Sequence, residues 1–276
     1  MKVIKLKIIW LLFLCCIICD CTAQEPIHEI KDFYMTYTSN ILSDNFSNDA
    51  LKKKYLTPNL IAKIDRMGAS TDTDPIIRAQ DFRADIIETL GVNHLGKNWY
   101  MVSYIWDADT TNIPVRINKT EKQYKIDYIT PPWNGSLYGD SLLFDHPVQQ
   151  PIDASSPLSL LKTFYVAYTM EYCSTPQNLM HQLAILRAKY LTPNALSQFE
   201  AAANEYKLDG HKGYDLLVAD FDFDRLWLPS MTYTQLDADT YQIAYTKWEI
   251  TCTIMLCVTK QGSEYRIDSI KIGKVN

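Results

Sequence analysis

The sequence predicts an α+β protein made of two tandem domains, each with N-terminal helices packed on an antiparallel sheet. A six-residue string occurs twice, at 54–59 and at 189–194. In both halves, apolar residues at helical spacing come before segments in which aromatic and β-branched residues alternate with polar ones. A chain of 276 residues is long enough for two such domains.

The N-terminus has the pattern of a secretory signal peptide. Lys2, Lys5 and Lys7 precede an unbroken apolar run over residues 8–18, and small residues follow, ending at Ala23. The run is too short to span a bilayer comfortably. We therefore predict a signal peptide at 1–23 and a periplasmic or secreted protein of the Gram-negative envelope, not transmembrane after cleavage.

A lipid-anchored form is the alternative fate of this leader. A lipidated cysteine needs a small residue directly before it, but Cys19 follows Ile18 and Cys21 follows Asp20. The pattern therefore favours soluble export over an anchor.

The predicted mature chain is acidic. Loss of three Lys and one Asp with the leader lowers the formal net charge from −5 to −7. No Lys/Arg-rich tract is present, which argues against nucleic acid as a partner. The three remaining cysteines, Cys173, Cys252 and Cys257, are an odd number, so we predict buried thiols; the last two should face opposite sides of a strand.

The flanks of the repeated string repeat in the same order. Phe33–Thr38 matches Phe164–Thr169, and Tyr124–Ile129 matches Tyr265–Ile270. These matches predict a first domain at 24–129 and a second at 156–276. Residues 130–155 between them hold four of the chain's 12 prolines, which is typical of a linker.

Each half is predicted to start with helices and end with an antiparallel meander. Thr57–Pro58 and Thr192–Pro193 are helix-start signals, with Thr at the N-cap and Pro at the first helical position. Gly68 is expected to end the first of these helices, and Gly91 and Gly96 to mark a turn. The predicted strands are 99–106, 110–118, 122–129, 231–236, 241–248, 251–260 and 264–272.

Four short motifs carry a resemblance to a known family: Tyr55–Pro58, Ala79–Asp81, Tyr190–Pro193 and Ala219–Asp220. With the order of elements, they resemble small exported bacterial domains of unknown function related to the nuclear transport factor 2-like superfamily. The resemblance implies a cone-shaped fold whose sheet wraps a cavity. It implies no activity, since that superfamily contains enzymes, ligand binders and interaction modules.

An acidic string, Asp220–Asp224, alternates three carboxylates with two phenylalanines. In a strand, Asp220, Asp222 and Asp224 would share one face. The EF-hand pattern fails, because Arg225 replaces the turn glycine and Met231 the bidentate glutamate. We predict a solvated acidic edge, with no metal site and no cofactor.

Two aspartates are candidates for a general base. The motif alignment makes Asp81 and Asp220 equivalent, and Tyr104 or Tyr245 would be the opposing oxyanion donor. The alternative is that these aspartates bind backbone amides. The sequence contains no serine nucleophile elbow, phosphate loop or helical histidine pair, so no catalytic residues are assigned.

Two function hypotheses follow. The first is a non-catalytic envelope binding protein whose partner is a protein, a peptide or a small apolar ligand; one version is an immunity-type protein that neutralises a periplasmic toxin. The second is a periplasmic isomerase- or hydrolase-like enzyme with an Asp in a cone-shaped pocket. The candidate binding residues are Asp81, Tyr104, Trp106, Asp220, Asp222, Asp224, Tyr245 and Trp248.

Overall fold

The fold is seen in a computed structural model that describes residues 26–43, 48–119, 123–131, 151–174, 176–208, 213–247 and 250–273. It is α+β, as predicted, and the described residues form two four-stranded antiparallel sheets. The predicted leader, most of the predicted linker and Trp248 lie outside the described residues.

The described residues divide into two compact units. The first contains 26–61 and 79–129, and the second contains 62–78 and 130–273. The division differs from the predicted domain limits, because the described residues of the predicted linker, 130–131 and 151–155, fall in the second unit. Residues 62–78, which sequence matching assigns to the first domain, belong to the second unit.

The first unit is a helical layer followed by a meander. Its helices are α1 (26–42), α2 (Asp49–Tyr55), the start of α3 (Pro58–Thr71) and α4 (Ala84–Glu88). Its strands are β1 (Gly91–Gly96), β2 (Trp99–Trp106), β3 (Asp109–Lys119) and β4 (Tyr124–Ile129), paired in that order. The Thr57 hydroxyl caps α3 by accepting from the Leu60 amide at 3.3 Å, as predicted.

Two local predictions for this half of the chain are wrong. Helix α3 continues through Gly68 to Thr71, because a helical glycine costs only about 1 kcal/mol and backbone bonding continues past it, with the Asp72 amide donating to the Gly68 carbonyl at 2.9 Å. The segment between Gly91 and Gly96 is strand β1, whose pairing with β2 supplies the backbone bonds that a turn would lack.

The second unit has the same order of elements. Helices α5 (Pro157–Ser174), α6 (Leu179–Tyr190) and α7 (Pro193–Leu208) precede a 3₁₀ turn (Leu228–Ser230). Strands β5 (Thr232–Gln235), β6 (Thr240–Lys247), β7 (Ile250–Gln261) and β8 (Glu264–Ile272) then pair in sequence order. All predicted strands are confirmed to within about two residues at each end.

The repeated motif makes the same contact in each unit. Leu56 bridges Ile126 of β4, and Leu191 bridges Ile267 of β8, both in parallel. The following threonine amide donates to the carbonyl of the same strand residue, at 3.0 Å for Thr57 and 2.9 Å for Thr192. The motif therefore ties the start of a helix to the last strand of the sheet.

Strand β7 alternates as predicted. Cys252 is buried, whereas Cys257 on the opposite face is half-buried, and neither forms a disulfide. Of the helices in the described ranges, none is long and apolar enough to cross a membrane.

Candidate functional site

The acidic string Asp220–Asp224 lies inside the second unit. It is not a regular strand, and only Asp220 makes a β-bridge, to Asp215. Asp222 and Asp224 are fully buried and Asp220 is 4% exposed. The predicted solvated acidic edge is therefore wrong, because cations from distant parts of the chain neutralise these carboxylates in the interior.

Lys63 of α3 is the central cation. Its Nζ lies 3.2 Å from both carboxylate oxygens of Asp222 and 3.6 Å from Oδ2 of Asp224, and its side chain has no solvent exposure. Arg66, one helical turn further on, brings its Nε to 3.7 Å from Asp222. Burying these charges is tolerated only because they are paired.

Asp220 is paired separately. The ammonium of Lys247, at the end of β6, contacts its carboxylate and also donates to the Ser70 carbonyl at 2.6 Å and the Ser70 hydroxyl at 3.1 Å. The other carboxylate oxygen accepts from the Phe221 amide. Burial raises the pKa of Asp220, although Lys247 opposes the shift. Lys247 and the Phe221 amide therefore hold Asp220 in a buried ion pair.

The two tyrosines predicted as oxyanion donors are interior residues. The Tyr245 hydroxyl donates to the Val218 carbonyl at 2.8 Å, and the side chain is 1% exposed. Tyr104, in the first unit, is 2% exposed with its ring edge-on to Phe82. The structure thus places Tyr245 in a backbone contact and Tyr104 in the core.

Asp81 does not correspond to Asp220. The turns that start at Asp74 and at Asp215 share one conformation. In each, the aspartate carboxylate accepts a hydrogen bond from the amide two residues later. In each, the residue four positions after the aspartate, Arg78 or Ala219, has a φ of 52°. Counting three residues onward from Arg78 and from Ala219 aligns Asp81 with Asp222. Asp81 is exposed, so the predicted equivalence is wrong in its register and the aligned carboxylates have opposite environments.

Trp106 lies at the surface of the first unit. Trp106 is half-buried, and the Cζ atom of Arg83 lies over its ring, 5.1 Å from the ring centroid. Arg83 also bonds Asp85 and Asp107, each at 3.0 Å. Trp106 and Asp81 therefore remain accessible, whereas the other described candidates are interior.

A further buried carboxylate was missed by sequence reasoning. Asp215 is 3% exposed and accepts from the hydroxyls of Tyr168 and Tyr172, both at 2.6 Å. Arg187 brings its Nη1 to 3.8 Å from the same carboxylate. This cluster joins α5 and α6 to the turn that starts at Asp215.

The second unit contains a cavity of about 160 Å³ beside the Asp220–Lys247 pair. Its wall is mainly apolar. It is formed by the end of α3, the start of the segment after β4, and the facing ends of β6 and β7. The lining residues are Ser70, Thr71, Asp72, Pro131, Trp227, Lys247 and Ile250.

Trp227 is the largest side chain of this cavity wall. Its ring stacks on the Tyr245 ring, with 6.2 Å between the ring centroids, and meets the Phe223 ring edge-on, with 5.7 Å between centroids. Trp227 is 1% exposed. Its indole Nε1–H is buried and finds no hydrogen-bond acceptor within the described part of the chain. A buried unpaired donor costs about 1–3 kcal/mol. The sequence did not single out Trp227, since no local pattern marks an unpaired donor.

Among the residues that the structure describes, no group of three or more His, Cys, Asp or Glu side chains is placed to hold a metal ion. The three aspartates of the acidic string contact Lys63, Arg66 or Lys247, which occupy the positions that a cation would need.

Part of this chain is similar to a protein of known structure. No protein-family model matches the sequence. No curated protein is similar to it. A crystal structure of a protein of unknown function from Bacteroides thetaiotaomicron is 39% identical over 41% of this chain and 96% of that one, with a TM-score of 0.38.

Proposed function

We propose that this protein is a non-catalytic binding protein of the cell envelope, with a small-molecule site in the cavity beside Trp227. The observation that carries the proposal is the pairing of Asp220 with Lys247. A general base needs a carboxylate oxygen within reach of the substrate proton. Asp220 is buried, is paired with Lys247 and does not line the cavity, so this corner of the second unit supports holding a molecule rather than deprotonating one.

The remaining features of the proposal come from the sequence. The leader pattern supports export to the envelope, and the repeated motifs support two tandem copies of one cone-like domain. The matching contacts of Leu56 and Leu191 are consistent with duplication. An immunity-type protein that neutralises a periplasmic toxin is the version in which the partner is a protein, and accessible Trp106 is the side chain best suited to such a contact.

Equilibrium dialysis tests the small-molecule site. Protein that begins at Gln24 is dialysed against small molecules extracted from bacterial envelopes, and mass spectrometry compares the two compartments. We expect intact compounds to be enriched on the protein side. The Ile250→Trp variant should abolish the enrichment, because Ile250 is 40% exposed and lines the cavity.

The matched control is Ile105→Trp. Ile105 is also an exposed strand isoleucine, at 46%, but it lies in the first unit, and this variant should bind as the parent does. Failure to retain any compound would contradict the proposal. So would a compound that is steadily consumed by substoichiometric protein, because that result indicates catalysis.

The protein-partner version needs a different variant. Asp220→Ala would leave Lys247, whose side chain is 11% exposed in the parent protein, without its carboxylate partner, so lost binding would be confounded with unfolding. Trp106→Ala avoids that problem, since Trp106 is at the surface. Loss of a captured toxin with this variant, at unchanged thermal stability, would support the immunity-type version; capture of no toxin by the parent protein would exclude it.

A further inference from the structure

We infer that the cavity beside Trp227 takes a compact hydrocarbon-like molecule, which places no charged or hydrogen-bonding atom inside the cavity. This inference rests on the proposed binding function and specifies the chemical class of its ligand. Three properties of the second unit carry it: the bonds already made by the polar side chains of the cavity wall, the charges around the cavity, and the cavity volume.

The half-buried polar side chains of the wall are already bonded within the second unit. Lys247 has three N–H donors, and they meet three acceptors: the Asp220 carboxylate, the Ser70 carbonyl at 2.6 Å and the Ser70 hydroxyl at 3.1 Å. The Thr71 hydroxyl donates to the Met67 carbonyl at 2.8 Å. A polar atom of a ligand would therefore compete with an existing bond or lose its hydration without a partner.

The charges around the cavity do not favour an ionic ligand. The charge of Lys247 in the wall is balanced by Asp220, and an anion would also approach the C-terminal end of helix α3, where the helix carries partial negative charge. A cation would have to lie near the Lys247 ammonium. Asp72 is exposed at the rim, where a hydrated carboxylate contributes little to binding a cation.

The apolar side chains and the volume define a ligand of one ring. Trp227 and Pro131 are buried in the wall, whereas Ile250 at the start of β7 is 40% exposed. At about 160 Å³, the cavity is close to the roughly 150 Å³ of an engineered apolar cavity that binds benzene in another protein. It is smaller than the roughly 300–1,000 Å³ of sites for drug-sized ligands. A single six-membered ring with one small substituent is therefore the appropriate size.

Four probes built on one fluorinated ring test this inference on protein that begins at Gln24. The group opposite the fluorine is methyl in 4-fluorotoluene, hydroxyl in 4-fluorophenol, and charged in 4-fluorobenzoate and 4-fluorobenzylammonium. Binding is followed by the ¹⁹F signal of each probe as protein is added, and toluene is the competitor that shows whether binding is saturable. Ile250→Trp is the blocking variant, and Ile105→Trp in the first unit is its control.

We expect 4-fluorotoluene to bind most tightly and toluene to displace it. 4-Fluorophenol should bind at least about fivefold more weakly, because its hydroxyl loses water without gaining a partner, and the two ions should bind more weakly still. The affinity for 4-fluorotoluene should not fall between about 0.05 and about 0.5 M salt, since its binding involves no charge pair that salt would screen. Ile250→Trp should abolish this binding, and Ile105→Trp should leave it unchanged.

Four results would overturn the inference. On the parent protein, they are binding of 4-fluorophenol or an ion as tight as that of 4-fluorotoluene, an affinity for 4-fluorotoluene that falls with salt, and binding that toluene does not displace. The fourth is binding of 4-fluorotoluene that survives in Ile250→Trp. The first three are decisive even if that variant does not fold.

The proposed function is judged separately by dialysis. Envelope compounds that the parent protein retains and Ile250→Trp does not would uphold the binding function, even where a polar or charged probe binds best. If dialysis retains no compound, the proposed function fails, whether or not 4-fluorotoluene occupies the cavity.

Discussion

Lys63 and Asp222 form an ion pair in which neither side chain is exposed, with 3.2 Å between Nζ and Oδ2 and 159 residues of sequence separating them. Asp224 and Arg66 complete the group. Removing one member of such a group is costly, since a remaining buried charge then lacks the partner that offsets its lost hydration.

Lys63→Met is expected to destabilise the protein strongly. Methionine fills a similar volume but leaves Asp222 and Asp224 buried without their cation. We expect the free energy of unfolding to fall by about 3–5 kcal/mol, measured by urea denaturation.

Lys53→Met is the matched control. Lys53 is an exposed lysine on helix α2, and its replacement should change the free energy of unfolding by less than about 0.5 kcal/mol. Adding Asp222→Asn to Lys63→Met should recover part of the loss, because a neutral amide is easier to bury than a carboxylate. Strict additivity of the two single changes would argue against a direct pair.

Asp222 should contribute more stability at low pH than at neutral pH, which is the opposite of the usual aspartate. Burial raises the pKa of Asp222, although Lys63 and Arg66 oppose the shift. The folded protein then holds this proton more tightly than the unfolded chain. The stabilising contribution is therefore fully present below about pH 4 and is lost as the pH rises through the folded pKa.

Comparison with Asp222→Asn isolates this contribution. The free energy of unfolding of the parent protein minus that of the variant should increase as the pH is lowered from about 7 to about 4, measured by urea denaturation at each pH. A difference that shrinks on acidification would mean that Lys63 outweighs burial and that the carboxylate is the favoured form.

Tyr172→Phe should lower the free energy of unfolding, whereas Tyr165→Phe should not. Both tyrosines lie on α5 and are at most 1% exposed. The Tyr172 hydroxyl donates to Asp215, and a bond to a charged acceptor contributes about 1.5–3 kcal/mol. The Tyr165 hydroxyl is buried and meets no partner in the described part of the chain, so its removal should leave stability unchanged or raised.

Thermal and urea denaturation of the two variants checks this prediction. Because the substitutions are chemically identical and on one helix, their difference compares a hydroxyl bonded to Asp215 with a buried hydroxyl that has no partner in the described part of the chain. Equal losses in the two variants would contradict the hydrogen-bond assignment.

Cys257 should be the reactive thiol of the native protein. Burial raises the pKa of the Cys173 and Cys252 thiols, which reduces their thiolate fraction as well as their access. Cys257 is half-buried on the outer face of β7. In protein that begins at Gln24, a chromogenic disulfide reagent should titrate about one thiol before unfolding and all three after it.

Cys257→Ser gives the control for that experiment. In this variant the folded protein should no longer react with the disulfide reagent, and two thiols should be titratable in denaturant. Rapid native reaction of this variant would show that Cys173 or Cys252 is reached without unfolding.

The local structure was largely predictable. The helix start at Thr57–Pro58 and the strand alternation that separates Cys252 from Cys257 both depend on residues a few positions apart. Capping and strand period act over that short range, so the sequence by itself determined the α+β class and most strand limits.

The site was decided by the tertiary structure alone. A run of alternating aspartates has the same local pattern whether it meets water or Lys63, and nothing near Asp222 in sequence indicates a partner 159 residues away. The unpaired donor of Trp227 is likewise visible only when its surroundings are known. Burial, charge pairing and cavities depend on contacts between distant segments, and those contacts form only on folding.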